Sequence, residues 1–165
     1  MTTYTTFDSP VGPVTVVARD GAVARLLLAG TRRAPDTDLL GARDDAGLAG
    51  VRAQLVEYFA GERQTFELEL APAGSAFQRR VWDGLRRIPF GETRSYGEVA
   101  LDVGLDPRTA SRAVGAANGA NPIAVVVPCH RVIGADGSLV GFAAGVERKR
   151  WLLDHEAHVA SPRLF

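Results

Sequence analysis

Five apolar residues, Ile123 to Val127, run directly into Pro128, and the only cysteine of the chain follows, Cys129, then His130 and Arg131. A run of that length, rich in branched side chains, predicts a short buried strand. Proline has no N–H to donate, so it ends the ladder. The stretch therefore predicts a strand that carries a thiol to the point where pairing stops, on rigid backbone beside a surface or cleft. A lone cysteine is as well explained as a small core hydrophobe. A cysteine next to a histidine becomes a candidate nucleophile only when a third group and a pocket join it.

Little else in the composition is unusual. With 165 residues and 46% hydrophobic content, the chain fits one domain or two small lobes sharing an interface. One cysteine excludes an internal disulfide and any multi-cysteine zinc site, and three histidines leave little for another metal. No metal and no cofactor is expected. The start, MTTYTTFDSP, lacks the basic and apolar regions of a signal peptide. No apolar run approaches the ~20 residues of a membrane span, so a cytoplasmic protein without a membrane partner is expected. Net charge is zero but uneven. Residues 1–70 hold seven arginines against ten acidic residues, a balance of −3, and residues 71–165 hold twelve basic against nine acidic, +3. A nucleic-acid partner would meet the second half.

Taken in order, residues 3–8 and Val11 to Ala18 read as β, and Asp20-Gly21 between VTVVAR and VARLLLA reads as a hairpin turn. Thr31 to Asp45 reads as a loop. Leu48, Val51, Leu55, Val56 and Phe59 recur at helical spacing, predicting a helix over 46–60 closed by Gly61. FELEL (Phe66 to Leu70) alternates as a half-buried strand. Nothing in this first lobe reads as catalytic, and its expected role is support.

APAGS (Ala71 to Ser75) reads as a linker. Ser75 with Gln78, and Ser95 with Glu98, form two capping boxes, each opening a helix. Trp82 reads as core rather than as a stacking platform. Asp106 caps and Pro107 opens a third helix, PRTASRAVGAANG. The last two helices, joined by a glycine-containing turn, form a helix-turn-helix candidate. The second is nearly all small residues around one long cation, Arg112, which suits tight packing or a narrow groove. A single such arginine is more often a solvated charge. GADGSLVGFAAGV reads as a turn and a loop able to close over a pocket, and Val146 to His158 as the last helix. Glu156 there reads by default as an exposed acid, and the tail ASPRLF as loosely packed.

Four stretches, PCHRV (128–132), IPFGETRSYGEVA (88–100), SRAVGAANGANPI (111–123) and ERKRWLLDHE (147–156), occur together in one order and with compatible spacing. In this the chain resembles the O6-alkylguanine-DNA alkyltransferases, also called methylated-DNA–protein-cysteine methyltransferases. The resemblance implies an α+β protein with a small N-terminal α/β, ribonuclease H-like lobe (1–73). A C-terminal winged-helix-like lobe with a helix-turn-helix (74–165) would carry DNA binding and the alkyl acceptor. It implies irreversible, single-turnover transfer of an alkyl group from O6-alkylguanine, and from O4-alkylthymine, in double-stranded DNA to Cys129. His130 would act as base through a water, with Glu156 orienting the imidazole and favouring its charged form. Asn121 would tie the cysteine segment to the helix-turn-helix, and Tyr96 would help evert the nucleotide and give a proton to the leaving guanine. Arg112 would fill the gap in the base stack. Phe142 and Ala143 would wall the pocket, with Val132, Arg94, Ala113 and Gly115 also on the substrate and DNA side. A monomer with no obligate protein partner, able to cluster on DNA, is implied. The family's pocket loop commonly has a glycine pair after its aromatic residue, whereas Phe142 is followed by Ala143 and Ala144. Two rivals stand beside this reading. One is a non-catalytic alkyltransferase-like protein that only recognises alkylated DNA, and the other is an ordinary cysteine hydrolase.

The thiol chemistry has its own requirements. A free cysteine with pKa near ~8.5 is mostly protonated at neutral pH, so it needs a base, and a base needs an orienting partner. An alkylated O6 inside a duplex is out of reach until the nucleotide is flipped out.

Overall fold

The computed structural model describes residues 1–31, 40–139 and 141–161. Strands β1 (Thr2–Phe7), β2 (Val14–Arg19) and β3 (Ala22–Leu28) form an antiparallel meander. The β2–β3 turn is the two residues Asp20-Gly21, at φ 50° and 88°. Both central residues lie in the left-handed region, which matches the twist of the flanking strands and which Asp-Gly favours. A two-residue strand, β4 (Ala42–Arg43), pairs parallel to β1 and gives the order β3-β2-β1-β4. That strand corrects the loop expected over Thr31 to Asp45, of which residues 32–39 lie outside the described residues, as does the tail from 162.

Helix α1 (Ala49–Phe59) buries Leu55, Tyr58 and Phe59. Val56, expected on that face, is 48% exposed, because it stands one position from Leu55 and 100° round the helix. The position three after Leu55 is taken instead by Tyr58, which is 0% exposed. Gly61 ends the segment at φ 80°.

In the second lobe both capping boxes are made in full, opening α2 (Ala76–Leu85) and α3 (Tyr96–Asp102). Asp106 accepts from Arg108 N and caps α4 (Pro107–Gly119). Trp82 is buried and its indole N–H donates to Ala117 O (2.8 Å), joining α2 to α4 and confirming its place in the core. A parallel pair not legible in the sequence, β5 (Arg94–Ser95) with β6 (Val132–Ile133), brings the entry to α3 against the residues just past Cys129. Helix α5 (Val146–Ala160) closes the fold. No described helix is long and apolar enough to cross a membrane.

The outer edge of β3 joins the lobes. Leu70 bridges to Val23 and Ile123 bridges to Leu26, both parallel. FELEL alternates in burial as expected, yet only Leu70 pairs, so the stretch is extended chain and not a strand of the sheet. Both contacts cover an edge that would otherwise be open. The buried apolar side chains of both lobes then form one cluster that includes Cys129.

Candidate active site

The strand expected over residues 123–127 is not formed. After its single bridge at Ile123 the chain turns: Val126 N donates to Ala124 O (2.8 Å) and Val127 N to Ile123 O (3.0 Å). Val125 sits at φ 71°, a left-handed conformation that costs a branched residue on the order of 1–3 kcal/mol. Asn121 braces the turn from both ends. Its Oδ1 accepts from Ile123 N (3.0 Å) and its Nδ2 donates to Val127 O (2.8 Å). Asn118, in the last turn of α4, donates to Cys129 O (3.4 Å). Asn121 thus braces the segment that leads to Cys129, and the bond from α4 to the cysteine backbone comes from Asn118, which sequence reasoning missed.

Cys129 opens a turn of 3-10 helix, Cys129–Arg131, and is 6% exposed. Cys129 lines a cavity of about 30 Å³ together with Asn118, Asn121, Phe142, Ala143 and Ala144, and with Leu26 and Leu27 of β3. That is room for a water molecule, and it is smaller than a purine requires. Burial pushes the thiol pKa up, while the Asn121 amide and the Lys149 charge pull it back. Lys149 is 0% exposed and its ammonium donates to Val132 O (2.6 Å).

His130 is 0% exposed and Glu156 is 1% exposed, which corrects the default reading of Glu156 as a solvated acid. Lys149, Leu152 and Glu156 share the buried stripe of α5. Glu156 Oε2 lies 2.7 Å from His130 Nε2. Arg131 donates from Nε to Oε1 (2.8 Å) and from Nη2 to Oε2 (3.0 Å), and its Nη1 donates to Ile88 O (2.7 Å). Tyr58, from α1, donates to Oε2 at 2.6 Å. Burial alone would raise the Glu156 pKa; the bonds and charges of His130 and then Arg131 outweigh it and hold the carboxyl well below the usual range. An ionised carboxylate only accepts, so Nε2 carries the imidazole proton. His130 Nδ1 is then a bare lone pair, buried and with no hydrogen-bond partner among the described residues.

One expectation is modified. Glu156 does draw the imidazole toward its charged form, but burial dominates and, with Arg131 and Lys149, leaves the His130 pKa below its ordinary value. A neutral imidazole with a free nitrogen is the form a base requires.

Tyr96 is half-buried against the pocket loop: a Cβ on Gly141 would stand 3.1 Å from its hydroxyl. Burial, and then the nearby Cys129, raise its pKa, so the phenol keeps its proton. Arg112 and Ala113 are exposed on α4, and Gly115 faces the Tyr96 ring, where a Cβ would be in ordinary contact at 3.7 Å. Arg94 is held locally, donating to Thr93 O and Glu92 Oε1. Val132 does not reach a surface: its side chain is 0% exposed and its carbonyl accepts from Lys149. Arg131 and Tyr58, like Asn118, are site residues that sequence reasoning missed.

The same chain matches two family descriptions in tandem. Residues 2–72 match the 6-O-methylguanine DNA methyltransferase ribonuclease-like domain, and residues 76–158 match that family's DNA binding domain. A methylated-DNA–protein-cysteine methyltransferase of Mycolicibacterium paratuberculosis is 49% identical over 153 residues, covering 93% of this chain and 91% of the relative. That of Methanosarcina acetivorans is 42% identical, covering 93% and 97%. The crystal structure of Mycobacterium tuberculosis O6-methylguanine methyltransferase superposes with a TM-score of 0.88 at 45% identity, covering 99% of this chain and 98% of that one. Mycobacterium tuberculosis OGT in complex with DNA gives 0.88 at 46% identity, covering 95% and 94%. With both halves matched and a single buried thiol set beside a histidine–carboxylate pair, the chain belongs to the 6-O-methylguanine DNA methyltransferase family, the methylated-DNA–protein-cysteine methyltransferases.

Proposed function

We propose that this protein repairs duplex DNA by moving the alkyl group of O6-alkylguanine, and of O4-alkylthymine, onto Cys129, once per molecule. Sγ attacks the alkyl carbon as the carbon–O6 bond breaks. The thiol proton leaves through a water to His130 Nδ1, and Tyr96 gives its phenolic proton to the departing guanine, regaining one from the imidazolium. One thiol and one alkylguanine become one thioether and one guanine. No second thiol exists to reverse the step.

The observation that carries this reading is a cysteine at the wall of a small cavity, one residue from an imidazole whose Nε2 is committed to Glu156 and whose Nδ1 has no hydrogen-bond partner among the described residues. Incubation with a duplex bearing labelled O6-methylguanine tests it. One methyl per protein, mapped by mass spectrometry to the Cys129 peptide, is expected; label that stays on DNA ends the proposal.

Arg112 serves in this reading as the residue that enters the stack, from a helix face of small residues, and Phe142 and Ala143 wall the alkyl pocket. Unstacking a base costs a few kcal/mol, so Arg112→Ala should slow repair in duplex by roughly ten- to a hundredfold. Reaction with free O6-alkylguanine base should be unchanged. Equal losses on both substrates would remove the role.

The same reading takes residues 1–73 as a ribonuclease H-like support, favoured by the meander with a parallel fourth strand. Residues 74–165 are taken as a winged-helix-like domain, favoured by α2 to α4 with the β5–β6 pair. A monomeric, cytoplasmic state, with DNA as partner and no cofactor, belongs to the proposal as well.

A further inference from the structure

We infer that Tyr58, supplied by the first lobe, is a positioning residue for the transfer at Cys129: its hydroxyl fixes Glu156 so that His130 keeps Nδ1 unprotonated. The inference rests on the functional reading above and adds a member to its machinery from the lobe expected only to support.

Geometry carries the argument. Tyr58 lies 98 positions before Glu156, and its hydroxyl meets Oε2, the oxygen that also takes His130 Nε2–H. The phenol cannot follow the carboxylate elsewhere. It is 0% exposed, and its ring is set against Phe66 (5.5 Å), Phe90 (6.1 Å) and His155 (5.4 Å). A His155 ring nitrogen lies 2.8 Å from the Tyr58 carbonyl oxygen, which holds the backbone as well. Glu156 thus meets a fixed donor on α1 and two from Arg131, and His130 takes the orientation that remains.

A shared acceptor is a weaker acceptor for each donor. While Tyr58 donates to Oε2, less of that oxygen's charge is available to Nε2–H, and the imidazole binds a second proton less readily. Without the phenol proton, Oε2 would draw harder on His130, and Nδ1 would be protonated at a higher pH and lost as a base. Among the described residues, the other charged groups acting on this pair are Arg131 from the 3-10 turn and Lys149 from α5. Arg131 and Lys149 also disfavour the imidazolium. His155 shares α5 with Glu156 but stacks on Trp151 (4.8 Å) and faces Tyr58. Tyr58 is a neutral side-chain donor beside the Gly91 N–H (3.5 Å to Oε1), and its removal changes no net charge, so its effect can be separated from bulk electrostatics.

The test is Tyr58→Phe in the full chain, with single-turnover methyl transfer followed across pH and the His130 ring titrated by NMR. Transfer at neutral pH should fall by on the order of tenfold, the scale seen when an outer partner of a working histidine is removed. The acid limb of the rate and the His130 titration should both move up by about one unit, with DNA affinity unchanged. A merely structural hydroxyl would lower the melting temperature and leave both titrations in place, and that result overturns the inference. If Tyr58→Phe fails to fold, 3-fluorotyrosine at position 58 keeps the ring and makes a stronger donor. Both titrations should then move down, and an unmoved pair overturns the inference. If the unsubstituted protein transfers no methyl, the functional reading falls. The NMR titration alone then decides whether Tyr58 sets the imidazole.

Discussion

Cys129→Ser binds a duplex containing O6-methylguanine as tightly as the unsubstituted protein and transfers no methyl group. The exchange of one sulfur for one oxygen at a position 6% exposed leaves the packing, the Asn121 brace and the Asn118 bond to the backbone intact. α4 and its exposed Arg112 are therefore left as they were. Chemistry is what is lost. A thiol whose pKa burial has raised can still surrender its proton to the free Nδ1 of a neutral imidazole. A serine hydroxyl is a far weaker acid, and its oxygen is a poorer nucleophile toward saturated carbon. Loss of more than about a thousandfold in transfer rate is expected, as for other nucleophile substitutions. The measurement is label transfer beside an equilibrium binding assay on one preparation. Since no other cysteine exists, transfer within tenfold of normal would mean a non-thiol acceptor and would end the mechanism.

Features set by a few neighbouring residues were legible in the sequence. Both capping boxes, the Asp106–Pro107 start of α4 and the Asp20-Gly21 hairpin follow from hydrogen bonds and dihedral limits within four residues, and all are made. The stretch over 123–127 failed because an apolar run reads alike whether it pairs along its length or touches one partner and turns. Its partner is a single residue of β3, Leu26, and the turn is held by an asparagine side chain. Arg131 and Tyr58 failed for a different reason: their contacts span 25 and 98 positions. Signals for both were present. A buried Arg131 next to His130 needs a carboxylate, and a tyrosine three residues after Leu55 on an apolar face needs an acceptor for its hydroxyl. The spacing of Lys149, Leu152 and Glu156 also put two charges on one buried stripe of α5. Cys129 and His130 stood out from the residues as a candidate pair and Glu156 joined them only through resemblance, whereas the groups that hold the carboxylate ionised required coordinates.

Arg131→Met is expected to destabilise the protein more than any other single change in this network. The guanidinium, 6% exposed, holds both oxygens of Glu156 and the carbonyl of Ile88 and lies over the Phe90 ring at 5.6 Å. Removing one partner of a buried ion pair leaves the other charged and uncompensated, at a cost of about 3–5 kcal/mol. For a chain of this size that is a fall of roughly 10 °C in melting temperature. The pH dependence identifies the cause. In the unsubstituted protein the pKa values of Glu156 and His130 are both depressed by folding, so between the folded and unfolded values the unfolded chain binds protons that the native site refuses. Their contribution is whole above the ordinary histidine value of 6.5 and is lost as pH falls, first through His130 and then through Glu156. Without Arg131 the native carboxyl takes up a proton readily, and a neutral Glu156 has no need of the cation. The stability gap between the two proteins should therefore be widest near neutral pH and should narrow on acidification to about pH 4. Adding Glu156→Gln to Arg131→Met removes the stranded charge and should recover most of the loss, a coupling that a double-mutant cycle reads directly. A gap below about 1 kcal/mol, or one that stays constant across that pH range, would mean that Arg131 is not what keeps Glu156 ionised beneath the imidazole.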